Sequence, residues 1–261
     1  MAERYPYGLL TMLIDVGNSR VKWLGGGEAA VQSVATDHWQ QALALWQRMP
    51  KAPVYVSSVK SQAWTHRFVQ GLSQALGVPV YAVEPMTRFQ GLSLVYQPVA
   101  SLGVDRWLAM VAAIALKPKT PLVIITAGSA VTVDYLDSGG EHRGGLIAPG
   151  VRMQLSALNR KTDRLGLQPA NLPKELKPGT ATLECIQNGV GAMVSGFIRS
   201  AIHLLDESHA LRTVLLSGGD AELISQYCPS DSVMTIEPNL VILGLSVYRD
   251  WHQNNNIKMS D

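Results

Sequence analysis

Apolar positions fall in short blocks between turn-forming residues, and their spacing switches between strand-like and helix-like along the chain. The run Leu9–Val16 is nearly continuous in apolar residues and stops at Gly17-Asn18, which predicts a buried strand ending in a turn. Val21–Leu24 reads as its hairpin partner, Gly25-Gly26-Gly27 forces the next reversal, and Ala30–Ala35 reads as a third short strand. Asp37 is placed to cap a helix over His38–Met49. Val54–Ser57 predicts a strand, Ser61–Leu76 a helix and Val78–Val83 a strand, so the opening part of the chain reads βββαβαβ. Antiparallel pairing followed by parallel pairing in this order predicts a three-layer α/β sandwich.

The same order then returns. A helix is expected over Leu102–Leu116, a buried strand at Leu122–Thr126, a turn at Ala127-Gly128-Ser129 and a strand at Val131–Leu136. Arg143–Ile147 reads as a third strand, followed by a helix from Val151 to Asn159 and an irregular stretch to Gly179. A long helix over Thr182–Leu205, a strand at Thr213–Ser217, a helix at Ala221–Tyr227, a strand at Ser232–Ile236 and a closing helix at Leu240–Trp251 complete the pattern. Asp15-Val16-Gly17-Asn18-Ser19 and Thr126-Ala127-Gly128-Ser129 echo one another between paired strands, which points to a duplicated architecture. The expectation is two facing lobes, with a cleft between the two hairpin turns.

Composition narrows the class. With 47% hydrophobic and 16% charged residues in 261, the chain reads as globular rather than disordered. No apolar run approaches the ~20 residues that span a bilayer, and residues 1–11 lack the features of a secretory signal. Cys185 and Cys228 cannot build a disulfide framework, so a cytoplasmic location is expected, and Cys185 is expected in the core. A net charge of +2, not gathered into a run, argues against a nucleic-acid partner.

Several segments carry candidate chemistry. The tip formed by Asp15, Val16, Gly17, Asn18 and Ser19 offers a carboxylate, backbone N–H groups and short polar side chains. Such a tip can hold phosphate while Asp15 faces a magnesium ion, with Lys22, beyond Arg20 and Val21, as a point charge. The same residues also suit a plain hairpin turn. Asp105 falls in the first turn of a helix opened by Gly103-Val104, where the dipole favours a carboxylate; it either simply stabilises the helix terminus or serves as a general base. Arg106 is either an anion clamp or a solvated side chain. Ser129 offers a second phosphate contact, and Gly218-Gly219-Asp220 opens another strand-to-helix turn suited to a nucleotide.

Other chemistries lack their signatures: there is no Gly-x4-Gly-Lys-Ser/Thr, Cys-x2-Cys, His-Glu-x2-His or Gly-x-Ser-x-Gly. Gly25-Gly26-Gly27-Glu28-Ala29-Ala30 fits a dinucleotide pattern but precedes a strand rather than a helix. Trp107 and Met110, at helical spacing, read as packing residues, and His203 as packed or surface-lying.

Taken together, Asp15–Ser19 with Lys22, Tyr96 ahead of Gly103–Arg106, Gly128–Asp134, Gly144–Gly150, Thr182 before Gly189 and Ser217–Asp220 resemble the type III pantothenate kinases. That family sits in the sugar kinase/heat-shock chaperone/actin superfamily. The resemblance implies an α/β fold of two ribonuclease H-like/actin-like lobes, each a mixed β-sheet flanked by helices, divided at 1–100 and 101–261. It implies ATP-dependent phosphorylation of pantothenate with Asp105 as the base and Mg2+ at Asp15. Tyr96, Gly103, Val104, Asp105, Arg106 and Thr182 match pantothenate contacts. Asp15 to Lys22, Ser129, Gly218 and Gly219 match ATP contacts. A homodimer is implied, with Thr182 reaching across it. Thr126 stands where many members carry an Asp that helps hold potassium or ammonium, and Gly166 stands where a Pro is usual. The alternatives are another small-molecule kinase of the same fold, or a non-catalytic transcriptional accessory factor.

Overall fold

The computed structural model describes residues 11–25, 30–161, 172–173, 175–204, 213–228 and 233–258. The start of the first expected strand, Gly26 and Gly27, and the stretch from Thr162 to Gly166 lie outside the described residues. The chain divides into two compact units, residues 1–117 with 239–261 and residues 118–238.

In the first unit, β1 (Met12–Val16), β2 (Arg20–Leu24), β3 (Gln32–Ala35), α1 (Leu43–Trp46), β4 (Val54–Ser58), α2 (Gln62–Leu76) and β5 (Val80–Ala82) follow the expected order. The sheet runs β3-β2-β1-β4-β5, antiparallel on the β2 side of β1 and parallel on the β4 side. Being central and covered on both faces, β1 reads as a continuous apolar run rather than an alternation. The core of this unit is built on its Met12, Ile14 and Val16 with Phe68, Leu72 and Leu76 of α2. Ser61 caps α2, its Oγ accepting from the Trp64 N–H at 3.3 Å, and Gly77 ends it at φ 66°.

One helix expectation fails. Over 38–49 the chain forms 3-10 turns at Thr36–Ala42 and only then α1, because His38 leaves the helical region (φ −118°). The cap at Ala35 has no side-chain bond, so Asp37 does not cap it. Stacking of Trp39 on Trp46 and its edge contact with Phe68 override the local pattern. The short hairpin β6 (Arg88–Phe89) and β7 (Leu92–Ser93) was not expected; Gln90 and Gly91 turn it with φ 46° and 89°.

Next comes α3 (Val104–Leu116), buried nearly all round. Trp107 and Met110 are fully buried, as their spacing implied. The second unit holds β8 (Leu122–Ala127), β9 (Ala130–Leu136), β10 (His142–Pro149), α4 (Val151–Lys161), α5 (Thr182–His203), β11 (Thr213–Ser217), α6 (Ala221–Ser225) and β12 (Val233–Ile236). Its sheet order, β10-β9-β8-β11-β12, repeats that of the first sheet strand for strand, so the echo in the sequence is a real duplication.

The closing helix α7 (Leu240–Lys258) belongs to the first unit and packs on α3. A Cβ on Gly244 would strike the Leu108 carbonyl, so the two helices touch backbone to backbone. The division therefore falls after α3 instead of at residue 100, because α3 is held by α7 and β4. Cys185, expected in the core, is exposed on α5, and His203 is exposed near the helix end. No helix among the described residues is long and apolar enough to cross a membrane.

Candidate active site

In the first unit the register of three strands assembles the chemistry. Asp15 on β1 is paired with Lys22 on β2 and with Ser57 on β4. Directly paired residues point to the same face, so a carboxylate, an ammonium and a hydroxyl converge beside the turn. That turn is tightly built. Gly17 N–H donates to Arg20 O at 3.0 Å, Thr36 N–H donates to Ser19 O at 3.0 Å and Thr36 Oγ1 donates to Gly17 O at 3.0 Å. Asn18, Ser19 and Arg20 are exposed, while Val16 and Val21 are buried beneath them. Arg20 turns its guanidinium to Ser33 on β3, with Nε and Nη2 at 3.1 and 2.6 Å from Oγ.

Asp15 is the electrostatic centre. Burial pushes its pKa from 3.8 up to about 6, the negative charge of Asp105 adds to the rise, and Lys22 and Ser57 oppose it. Asp15 Oδ1 and Ser57 Oγ are both enclosed and neither makes a well-formed hydrogen bond, so the hydroxyl's contribution is the smallest. The residue as a whole keeps partial exposure.

Asp105 lies in the first turn of α3, as expected, on the same unit and within electrostatic reach of Asp15. Its Oδ1 accepts from the Arg106 N–H at 2.9 Å. Gly103, the helix cap, makes room for it: a Cβ there would sit 2.5 Å from that oxygen. Arg106 is 6% exposed, which removes the solvated alternative. Its guanidinium lies 5.5 Å over the Tyr96 ring, and Nη1 donates to the Tyr96 hydroxyl at 3.4 Å. Tyr96, Gly103, Val104, Asp105 and Arg106 thus form one cluster.

In the second unit the glycine-bearing bends rest on each other. Gly128 N–H donates to Ala130 O and Gly150 N–H to Ser129 O, both at 2.9 Å. A Cβ on Gly150 would strike Gly128 O, and one on Gly218 would strike Ala127 O. Asp220 N–H donates to Ala127 O at 3.1 Å. Gly218 (φ 96°) and Gly219 therefore lie beside the Ala127-Gly128-Ser129 turn. Asp220, 5% exposed, takes Arg152 Nε at 3.2 Å on Oδ1. Sequence reasoning missed this pair, since no local spacing links residues so far apart. Thr126 pairs with Thr132 and Ser217 on its neighbouring strands, so these three register positions offer hydroxyls and no carboxylate. Thr182 is the exposed first residue of α5.

Among the described residues no group of three or more His, Cys, Asp or Glu could hold a metal ion alone. The donor set fits a divalent cation carried on phosphates: an enclosed, unpartnered Asp15 oxygen within electrostatic reach of a second carboxylate is relieved by positive charge.

The family model described as type III pantothenate kinase matches residues 11–204. The type III pantothenate kinase of Chromobacterium violaceum is 34% identical over 241 residues, covering 90% of this chain and 98% of that one. That of Cellvibrio japonicus is 31% identical over 257 residues, covering 95% and 100%. Among solved structures, a Campylobacter jejuni protein provisionally described as a conserved Baf family transcriptional activator superposes with a TM-score of 0.61 at 22% identity, covering 93% of this chain and 99% of that one. MreB5 of Spiroplasma citri bound to ADP gives 0.50 at 11% identity, covering 94% and 97%. At such identities these two likenesses concern the fold, which is the actin-like one expected.

Proposed function

The chain belongs to the type III pantothenate kinase family, and on that premise we propose that Asp105 is the general base of the reaction. The reaction is ATP-dependent phosphorylation of pantothenate, in the synthesis of coenzyme A. The acceptor's primary hydroxyl attacks the γ-phosphorus in line, the new P–O bond forms as the bond to ADP breaks, and the hydroxyl proton passes to Asp105. Catalysis comes chiefly from positioning and electrostatics.

The observation that carries this reading is the coupling of two carboxylates in different settings. Asp15 is enclosed, unpartnered on Oδ1 and held near 6, whereas Asp105 is oriented by the Arg106 N–H over a helix start. Two carboxylates within electrostatic reach of one another but set in different surroundings suit different roles. Asp15 is the carboxylate that would hold Mg2+, which when bound spreads charge over the transferring phosphates.

The backbone of Asp15 to Lys22, with the Lys22 ammonium, is assigned to ATP, as are Ser129, Gly218 and Gly219 of the second unit. Arg20 contributes its main chain, since its guanidinium is committed to Ser33. Tyr96, Gly103, Val104 and Arg106 are assigned to pantothenate, whose carboxylate suits the buried guanidinium. Thr182 is assigned to the same substrate from a partner protomer in a homodimer. The enzyme is assigned to the cytoplasm, with no membrane or nucleic-acid partner. Thr126 leaves the monovalent-cation position without its usual charge.

Asp105→Asn tests the base. Turnover should fall by roughly 10²–10⁴ with the melting temperature unchanged. Near-native ADP release by the purified variant would overturn the assignment.

A further inference from the structure

We propose that Lys60 is a further ATP-phosphate residue, the second side-chain cation at the β1–β2 turn. The inference rests on the assignment of that turn to ATP. The Val59 N–H donates to Val16 O at 3.1 Å, which carries the β1–β4 pairing past the end of the strand and runs residues 58–60 beside residues 16–18. The root of the Lys60 side chain is firmly held. Its N–H donates to Ser58 Oγ at 3.3 Å, Ser58 Oγ shares a 2.8 Å bond with Thr65 Oγ1, and the next residue, Ser61, caps α2. From that base Nζ reaches Asn18 O, at the exposed tip, at 3.4 Å.

An ammonium has three N–H donors, and here one is spent on a long bond to a neutral carbonyl. Among the described residues no carboxylate forms an ion pair with Lys60. Exchanging that carbonyl for a phosphate oxygen converts a neutral-acceptor bond into a charge-assisted one, about twice as strong. Arg20, the nearer candidate by sequence, has its guanidinium turned to Ser33 instead. Lys22 sits beside Asp15, where its charge is already partly used in opposing the rise of that carboxyl. Lys60 is therefore a further cation at this turn, beside Lys22, with charge to offer.

The test is binding of MgATP and of adenosine to full-length Lys60→Met, with steady-state KM for ATP and for pantothenate. Lys51→Met is the control, because Lys51 also donates to a main-chain carbonyl of this unit, Leu76 O at 2.6 Å, but at the far end of α2. Lys60→Met should weaken MgATP about tenfold, the loss of one charge-assisted contact, with adenosine affinity and the pantothenate KM unchanged. Lys51→Met should leave all of these unchanged, and Lys60→Arg should restore ATP binding. Unchanged MgATP affinity in Lys60→Met, or an equal loss for adenosine, overturns the proposal. Asp15→Asn, measured alongside, separates the two levels. If Asp15→Asn weakens MgATP and Lys60→Met does not, only the Lys60 assignment fails; if neither does, the ATP assignment of the turn fails.

Discussion

Replacing Asp15 by Asn removes a charge that the fold itself resists. In the folded protein its carboxyl titrates at about 6 instead of 3.8, because burial and the nearby Asp105 disfavour the ionised form. At about 1.36 kcal/mol per pH unit, that displacement corresponds to roughly 3 kcal/mol of destabilisation once the group is ionised. The residue is partly exposed, so about 2 kcal/mol is the better expectation. The sign follows from proton binding. Between pH 4 and pH 6 the folded state holds this proton and the unfolded state does not, so the stability it contributes in acid is lost as pH rises through about 6. Asn is nearly the same size and carries no charge, so the variant lacks this loss. Asp15→Asn should be close to wild type in stability near pH 4 and more stable by about 2 kcal/mol at pH 7, roughly 4–8 °C in melting temperature. The assay is parallel thermal or urea unfolding of both proteins from pH 4 to pH 8, without nucleotide or divalent cation. Other carboxyls, such as Asp137 and Glu184, which hydrogen bonds hold below their usual range, cancel in the difference between the two proteins. A stability gap that stays constant over this range, or narrows with rising pH, would refute the reasoning. The stabilised variant should also lose activity, since the same carboxylate is assigned to the metal.

Gly218→Ala places a Cβ against the Ala127 carbonyl at φ 96°, so we expect a loss of about 1–3 kcal/mol and weaker ATP binding; an unaltered melting curve and ATP titration would contradict it. Exchanging potassium for sodium should leave ADP release in the presence of pantothenate unaffected, because Thr126 supplies no charge to a monovalent cation. A sharp drop in that assay would mean another group does.

Much of the fold was legible because its cues are local. Leu122–Thr126 and Thr213–Ser217 were visible as apolar runs, and Ser61 and Gly77 mark the ends of α2 in the residues themselves. The failures are where tertiary contacts override such cues. Trp39 and Trp46 are drawn into the first core across a broken helix, and Cys185, an apolar-seeming residue on a long helix, lies on the exposed side. The boundary at residue 100 was misjudged because nothing near α3 announces that a helix over a hundred residues later will pack against it.

For the site, the local sequence offered Asp15 and Asp105 only as candidates beside plainer readings, a hairpin turn and a helix terminus, and it was the family resemblance that attached roles to them. It could not say that the two feel each other's charge, that Arg106 is buried against Tyr96, or that Lys60 rather than the Arg20 side chain stands at the turn. Those facts depend on strand register and helix packing. Backbone periodicity is set by residues a few positions apart, whereas Coulomb interactions and burial are set by distance in space, which the chain acquires only when its sheets and helices close on one another.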